Sequence, residues 1–290
     1  MDLTLDVGEN IYNLRIVALV MYRGAFLFDF CKTDQYYFPV GGRVKFGETV
    51  EEALVREMQE ELGITVSDYR MIGIAEQFLH ITKPWHEHSI IFSIDLDDEL
   101  ELNLETGIVP IASHDFKNYP IVPAWIETAI ANRDTFKMYY VDEIDVRTNG
   151  EDISVQISPE RSFNARVSAK VSESNKVLFD FLALDWGHPV PVGGRMQWGE
   201  TLLEAIHREI REELSTEIME VRFLGITTDV FYLSKPGNSP METHFVSFNF
   251  EVSVDTSKIQ FADGCAGVWL TPDEIRDLPM KLESFKQFID

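Results

Sequence analysis

Glu57, Glu60 and Glu61 stand at positions i, i+3 and i+4, and Glu209, Glu212 and Glu213 repeat that spacing. On a helix each triple falls within an arc of roughly 100°, so three carboxylates converge on one face. In water such neighbours repel by about 0.2–0.5 kcal/mol per pair. A hard divalent cation reverses the sign, because an ion such as Mg²⁺ takes oxygen ligands and keeps part of its hydration shell. Glu48 and Glu200, at the turns before these segments, can each add a fourth carboxylate. The glycine turns Gly41-Gly42 and Gly193-Gly194 can bring a backbone carbonyl to the same ion. A glutamate-rich helix face is ordinarily just solvated, and two features weigh against that here. Ala53 and Leu54 lie one turn before Glu57 and Glu61, so the carboxylates sit at the edge of an apolar stripe. The whole arrangement also occurs twice.

These carboxylates need helices to aim them. Thr49 with Glu52 three residues on, and Thr201 with Glu204, are capping boxes that satisfy orphan amides and mark two helix starts. Val50, Leu54, Met58 and Leu62 step by four along one stripe, as do Leu202, Ile206, Ile210 and Leu214, and each stripe should face a sheet. Runs rich in β-branched and aromatic residues, such as 16–21, 88–94 and 245–252, predict its strands. Further helices are expected at 123–133 and 283–288, closing the two halves.

Self-comparison organises the chain. Pro39-Val40-Gly41-Gly42-Arg43 recurs as Pro191-Val192-Gly193-Gly194-Arg195, an offset of 152 residues that also carries Gly47-Glu48-Thr49, Arg56-Glu57 and Glu60-Glu61-Leu62 onto their second copies. The alternation Leu3, Leu5, Val7 resembles Ile153, Val155, Ile157. A 290-residue chain with such a period reads as two α/β domains, 1–138 and 139–290. Residues 141–157 alternate around Asn149-Gly150 and predict a hairpin near the boundary. No low-complexity linker is present, so the domains are expected to pair within the chain, as a monomer or homodimer.

Gly42, five residues, Glu48, seven residues, then Arg56-Glu57-Met58-Gln59-Glu60-Glu61-Leu62-Gly63-Ile64 is similar to the complete Nudix box. Gly194, Glu200, Arg208-Glu209, Glu212-Glu213-Leu214-Ser215 resembles the same box with Ser215 in place of the glycine that ends the helix. The resemblance covers both halves. It implies an α/β/α sandwich with a mixed sheet in each, and hydrolysis of the pyrophosphate bond of a nucleoside diphosphate linked to another moiety, with Mg²⁺ or Mn²⁺ as cofactor. It further implies Glu57, Glu60 and Glu61 as metal ligands, Arg56 orienting a glutamate, and Glu48 adding a ligand directly or through water. Glu209, Glu212, Glu213, Arg208 and Glu200 take the matching roles, and one carboxylate serves as base. Val40 and Val192 separate proline from the paired glycines, where many family members run straight on.

Weaker signals lie outside the box. His86 and His88 flank Glu87 at strand spacing; a transition-metal site is conceivable there, against the plainer reading of residues without a chemical role. His88 has a sequence counterpart in His244, Glu76 in Thr228, and Glu87 a neighbour in Glu242, so Glu76 and Glu87 are candidate extra carboxylates. Phe46 and Trp198 occupy matching loop positions and could stack on a base, although aromatic side chains more often pack. Leu79 and Leu233 stand where the ADP-ribose branch of the family carries a proline. Tyr232 lies near the tyrosine of the dinucleoside polyphosphate branch, but its counterpart His80 does not match, so the substrate stays open.

A formal charge of −24 disfavours nucleic acid polymers and anionic membranes as partners, and favours a small anionic substrate carried with divalent cations. Cys31 and Cys265 are too few and too far apart for a disulfide framework, the start of the chain lacks a basic export region, and a cytoplasmic protein is expected. A protein that binds or senses a nucleotide metabolite on the same scaffold without cleaving it is the alternative from another class.

Overall fold

The structure is a computed structural model describing residues 1–102, 107–143, 148, 150–181, 188–233, 240–263, 266–280 and 282–289. The chain divides into two compact units, Met1–Val146 and Arg147–Asp290. The first contains β1 (Thr4–Val7), β2 (Asn10–Tyr22), β3 (Ala25–Cys31), β4 (Tyr36–Pro39), α1 (Val50–Leu62), β5 (Arg70–His80), β6 (Pro84–Asp95), β7 (Val109–Ile111), α2 (Trp125–Ala131) and β8 (Lys137–Asp142). Its mixed sheet runs β4-β3-β2-β6-β5-β8, with β1 on β2 and β7 on β3; the β2–β6 and β5–β8 pairs are parallel.

The second unit contains β9 (Ser154–Ser158), β10 (Arg161–Glu173), β11 (Lys176–Asp180), β12 (Val190–Pro191), α3 (Leu202–Leu214), β13 (Ile218–Leu233), β14 (Met241–Val254), β15 (Gly267–Leu270) and α4 (Pro272–Asp277). Its sheet runs β12-β11-β10-β14-β13, with β15 on β11, β9 on β10 and a parallel β10–β14 pair. Each unit is an α/β/α sandwich. Trp125, Ile126 and Ala129 of α2 pack with Val17, Leu19 and Ile91 of the first sheet. Ile275 of α4 and Phe285 pack with Val177 and Phe179 of the second.

Three sequence expectations change. The boundary lies beyond residue 139 because β8 adds in parallel to β5 and so belongs to the first sheet. Among the described residues of the expected 141–157 hairpin, each flank joins the sheet of its own unit, β8 on β5 and β9 on β10, while residues 144–147 and Asn149 lie outside the described residues, as does Cys265. The closing segment Glu283–Phe288 is a 3₁₀ helix, and α4, capped by Thr271 and Glu274, supplies an α-helix that was not anticipated. Among the described residues no helix is long and apolar enough to cross a membrane.

The central strand of each sheet, β2 or β10, is longer than the strands that pair along one of its edges, and this positions the site. The hairpin partner β3 pairs only with Met21 and Tyr22 of β2, and β1 only with 10–13. The gap between them is filled by the glycine loop, which lies on β2 like a short strand: Ile16 N donates to Gly42 O (2.8 Å) and Ala18 N to Val40 O (2.9 Å). In the second unit Val167 N donates to Gly194 O (3.0 Å) and Ala169 N to Val192 O (2.7 Å).

Candidate active sites

The loop laid on β2 fixes the first carboxylate against backbone. A Cβ on Gly42 would lie 2.3 Å from Glu57 Oε1, and one on Gly194 2.5 Å from Glu209 Oε1, so only glycine lets these carboxylates rest on the loop. Gly41 (φ +140°) and Gly193 (φ +124°) adopt a backbone that disfavours side chains, and each turns its amide toward the helix. Gly41 N donates to Glu61 Oε2 at 3.0 Å, and Gly193 N to Glu213 Oε2 at 2.9 Å.

One arginine gathers the remaining acids. Arg56 Nε donates to Glu48 (2.7 Å) and Nη1 donates to Glu57 (2.5 Å) and Glu60 (3.2 Å), while Nη2 donates to Glu48 (3.0 Å) and Arg43 O (2.9 Å). Arg208 does the same for Glu200, Glu209, Glu212 and Arg195 O, at 2.6, 2.6, 3.1 and 2.9 Å. The far oxygens of Glu48 and Glu200 accept from Lys45 N and Gln197 N, so each glutamate also locks its own turn. Both helices begin at the expected capping boxes. Gly63 and Ser215 both end their helices in the left-handed region, Ser215 at φ 51°.

The second pair of acids is crowded. Burial pushes the Glu61 carboxyl up to about 7, with the Gly41 amide opposing and Glu57 adding to the rise. Burial pushes Glu213 up to about 8, opposed by the Gly193 amide and reinforced by Glu209, and Glu209 is itself raised, chiefly by burial. A bound cation would favour the ionised forms of such carboxyls. The donor set is all oxygen, which suits Mg²⁺ or Mn²⁺.

The first unit opens a cleft of about 560 Å³ beside these groups, lined by Arg56, Glu57, Glu60 and both loop glycines, and by Asn13, Arg15, Tyr36, Arg43, Lys45 and Trp85. Sequence reasoning passed over Arg15 and its counterpart Arg166, although Asn13-Leu14-Arg15 and Asn164-Ala165-Arg166 repeat and an arginine inside an apolar strand is itself a signal. The Nε atoms of both are buried and have no hydrogen-bond partner among the described residues. Arg166 also donates through Nη2 to the Gly193 carbonyl at 2.9 Å.

Strand register corrects two sequence matches. His86 and His244 pair with Phe78 and Val230, and with Tyr12 and Phe163, so His244 corresponds to His86 and not to His88. Glu87 pairs with Asn13 and Gln77, and Phe245 with Asn164 and Asp229, so the counterpart of Glu87 is Phe245, not Glu242. Glu87 lines the cleft but accepts from Asn13 (2.6 Å), Gln77 (2.8 Å) and Ser89 (2.8 Å), a saturated carboxylate. Asp229 accepts from Ser284 N and Oγ through one oxygen, and its other oxygen is buried without a partner among the described residues. Trp198 is 5% exposed and packs in the core, so it offers no stacking face; Tyr36 and Trp85 are the aromatic walls of the first cleft.

Comparison with known proteins gives the family. The NUDIX domain matches residues 15–132 and again 176–289. An RNA pyrophosphohydrolase of Hydrogenovibrio crunogenus is 30% identical over 106 residues, covering 32% of this chain and 61% of that protein. One from Vibrio atlanticus is 31% identical over 88 residues, covering 26% and 51%. The chain thus spans about half to three fifths of the length of these curated relatives. Among solved structures, the MutT protein of Bacillus halodurans is 19% identical with a TM-score of 0.39, covering 46% of this chain and 91% of its own. Two family matches that together span most of the chain, each around its own glutamate cluster, place this protein in the Nudix family.

Proposed function

We propose that the protein is a hydrolase that cleaves the pyrophosphate linkage of a nucleoside diphosphate derivative, with Mg²⁺ or Mn²⁺ held in each unit. The observation that carries this reading is the convergence, twice, of four carboxylates and one arginine at a loop laid on the central strand. Glu57, Glu60 and Glu61 would hold the ion in the first unit, and Glu209, Glu212 and Glu213 in the second, with the Gly41 and Gly193 carbonyls as further oxygen donors. A bound divalent ion would neutralise the diphosphate and lower the pKa of the attacking water.

The chain's own groups do the rest. Arg56 and Arg208 hold Glu48, Glu57 and Glu60, and Glu200, Glu209 and Glu212, in one orientation, so little rearrangement is needed at reaction. One of the clustered carboxylates takes the proton of the water. Arg15 and Arg166 present guanidinium groups for the phosphoryl charge that grows as the bond breaks. Tyr36 and Trp85 offer the first cleft flat faces for a base. The overall charge of −24 favours a small nucleotide over a long polyanion.

The test is a screen of nucleoside diphosphate derivatives, dinucleoside polyphosphates and 5′-triphosphorylated RNA with Mg²⁺ or Mn²⁺, using the full chain and the Glu57→Gln, Glu209→Gln double variant. Metal-dependent product from a small nucleotide, lost in the double variant, is expected. Preference for the RNA end would move the substrate class toward that named for the relatives. Thermal stabilisation by nucleotides with no product after long incubation would make the protein a sensor and sink the hydrolase reading.

A further inference from the structure

Strand alternation puts a second set of donors on the opposite side of the first sheet from the cleft. Trp85 and Glu87 face the cleft, so His86 and His88, between and after them along β6, face away from it. Glu76 lies directly across from His88 in the antiparallel β5–β6 pair, and Tyr12 lies across from His86 in the parallel β2–β6 pair. Exposure is 0% for Tyr12, His86 and His88 and 3% for Glu76. One ligand atom from each of Glu76, His86 and His88 lies within 4.8 Å of the others. A buried polar group of this size is costly unless its members satisfy one another or an ion. The fold does not require it, because the second unit carries Phe163, Thr228 and Val246 where the first has Tyr12, Glu76 and His88, and keeps only His244.

We propose that Glu76, His86 and His88 form a buried transition-metal site of the zinc type in the first unit, with Tyr12 orienting His88. Two imidazoles and a carboxylate are the donor chemistry of Zn²⁺ rather than of the all-oxygen ions suited to the glutamate clusters. Ligands about 2.0–2.2 Å from a tetrahedral ion stand about 3.3 Å apart, and His88 Nε2 lies 3.3 Å from Glu76 Oε1. The other ring nitrogen of His88 lies 3.2 Å from the Tyr12 hydroxyl. An oxygen partner on the far nitrogen is what fixes the tautomer of a metal-ligating histidine. Glu76 cancels half the charge of the ion and can offer a second oxygen to complete the shell. Burial means that the ion enters as the domain folds, so this site contributes stability and needs no channel. It is independent of the hydrolase reading, since none of its ligands belongs to the glutamate clusters.

The test uses the full chain, purified without a metal-binding tag from zinc-supplemented cells and dialysed against excess Mg²⁺ to displace zinc from the glutamate clusters. Elemental analysis is expected to find about one zinc per chain, and X-ray absorption at the zinc edge to show two imidazoles in the first shell. The Glu76→Thr, His88→Val variant, which copies the second unit, should hold less than a tenth of that zinc, while Glu57→Gln, Glu209→Gln keeps it. Zinc-free wild-type protein after refolding with one equivalent of Zn²⁺ would overturn the site and leave a hydrogen-bonded Tyr12–His88–Glu76 relay. A shell of oxygens alone, or undiminished zinc in the variant, would also overturn it. Should the variant fail to fold, the absorption spectrum of the wild type decides by itself.

Discussion

The two units hold their acids alike and line their surroundings differently. Arg56 and Arg208 reach their first glutamates at 2.7 and 2.6 Å, their second at 2.5 and 2.6 Å and their third at 3.2 and 3.1 Å. Around that shared frame, Glu87 and Gln77 of the first unit give way to Phe245 and Asp229, and Trp85 gives way to Thr243, whose hydroxyl is tied to Ser162 at 2.8 Å. The difference separates two demands on one scaffold. Under the proposed function, gripping an ion would allow little variation in geometry, whereas the choice of what is attached to the diphosphate would be set by side chains from neighbouring strands that can change one at a time. On this view the units share a chemistry and differ in specificity.

The largest effect that could break this comparison comes from the helix acids. Glu57→Gln and Glu209→Gln should each lower turnover of one class of substrate by about 10²–10⁴-fold, and a matched panel of substrates would show which. If each single variant lost the same fraction of activity on every substrate, specificity would not be divided between the units. Next come Gly42→Ala and Gly194→Ala, where the new methyl must push the resting carboxylate aside. A displacement near 1 Å costs about 10²-fold, so kcat should fall while circular dichroism stays native; full activity would show that this close packing has no catalytic consequence.

The raised carboxyls sharpen the comparison through pH. Glu61 and Glu213 hold their protons more tightly folded than unfolded, so in the metal-free protein their own contribution to stability is full below about 4.5 and is lost as pH rises through about 7 in the first unit and about 8 in the second. Under the proposed function, binding of Mn²⁺ would need the ionised forms and so would tighten across the same interval. Calorimetric titration from pH 5.5 to 8.5 should therefore show affinity rising with pH, later at the second site, with Glu61→Gln and Glu213→Gln each flattening one limb. A pH-independent affinity would contradict the assignment. The smallest change concerns the helix ends: Ser215→Gly relieves a left-handed residue and should stabilise the second unit by about 1 kcal/mol, read as a rise of a few degrees in Tm.

Much of the site was legible because its parts are local. The capping boxes, the four-residue apolar steps and the glutamate spacing lie within one helix and its preceding turn, where backbone geometry alone decides which side chains meet. What escaped lies across strands. The match of His88 with His244 failed because β6 and β14 follow β5 and β13 at different sequence separations, so only the hydrogen-bond ladder reveals that His86 is the true counterpart. Arg15 and Arg166 drew no attention in the sequence, and it is the loop laid over the central strand that brings them to the candidate site. The 141–157 stretch read as a hairpin because alternation announces a strand but not its partner.

The splicing of the glycine loop onto the central strand has a consequence for spectroscopy. The amides of Ile16 and Val167 are protected from solvent deuterium by the same carbonyls, Gly42 and Gly194, whose residues cradle Glu57 and Glu209. Those two signals are built-in reporters of the two clamps. A labelled sample followed by exchange would register the loosening of either half separately, without a substrate, an added probe or a change in sequence.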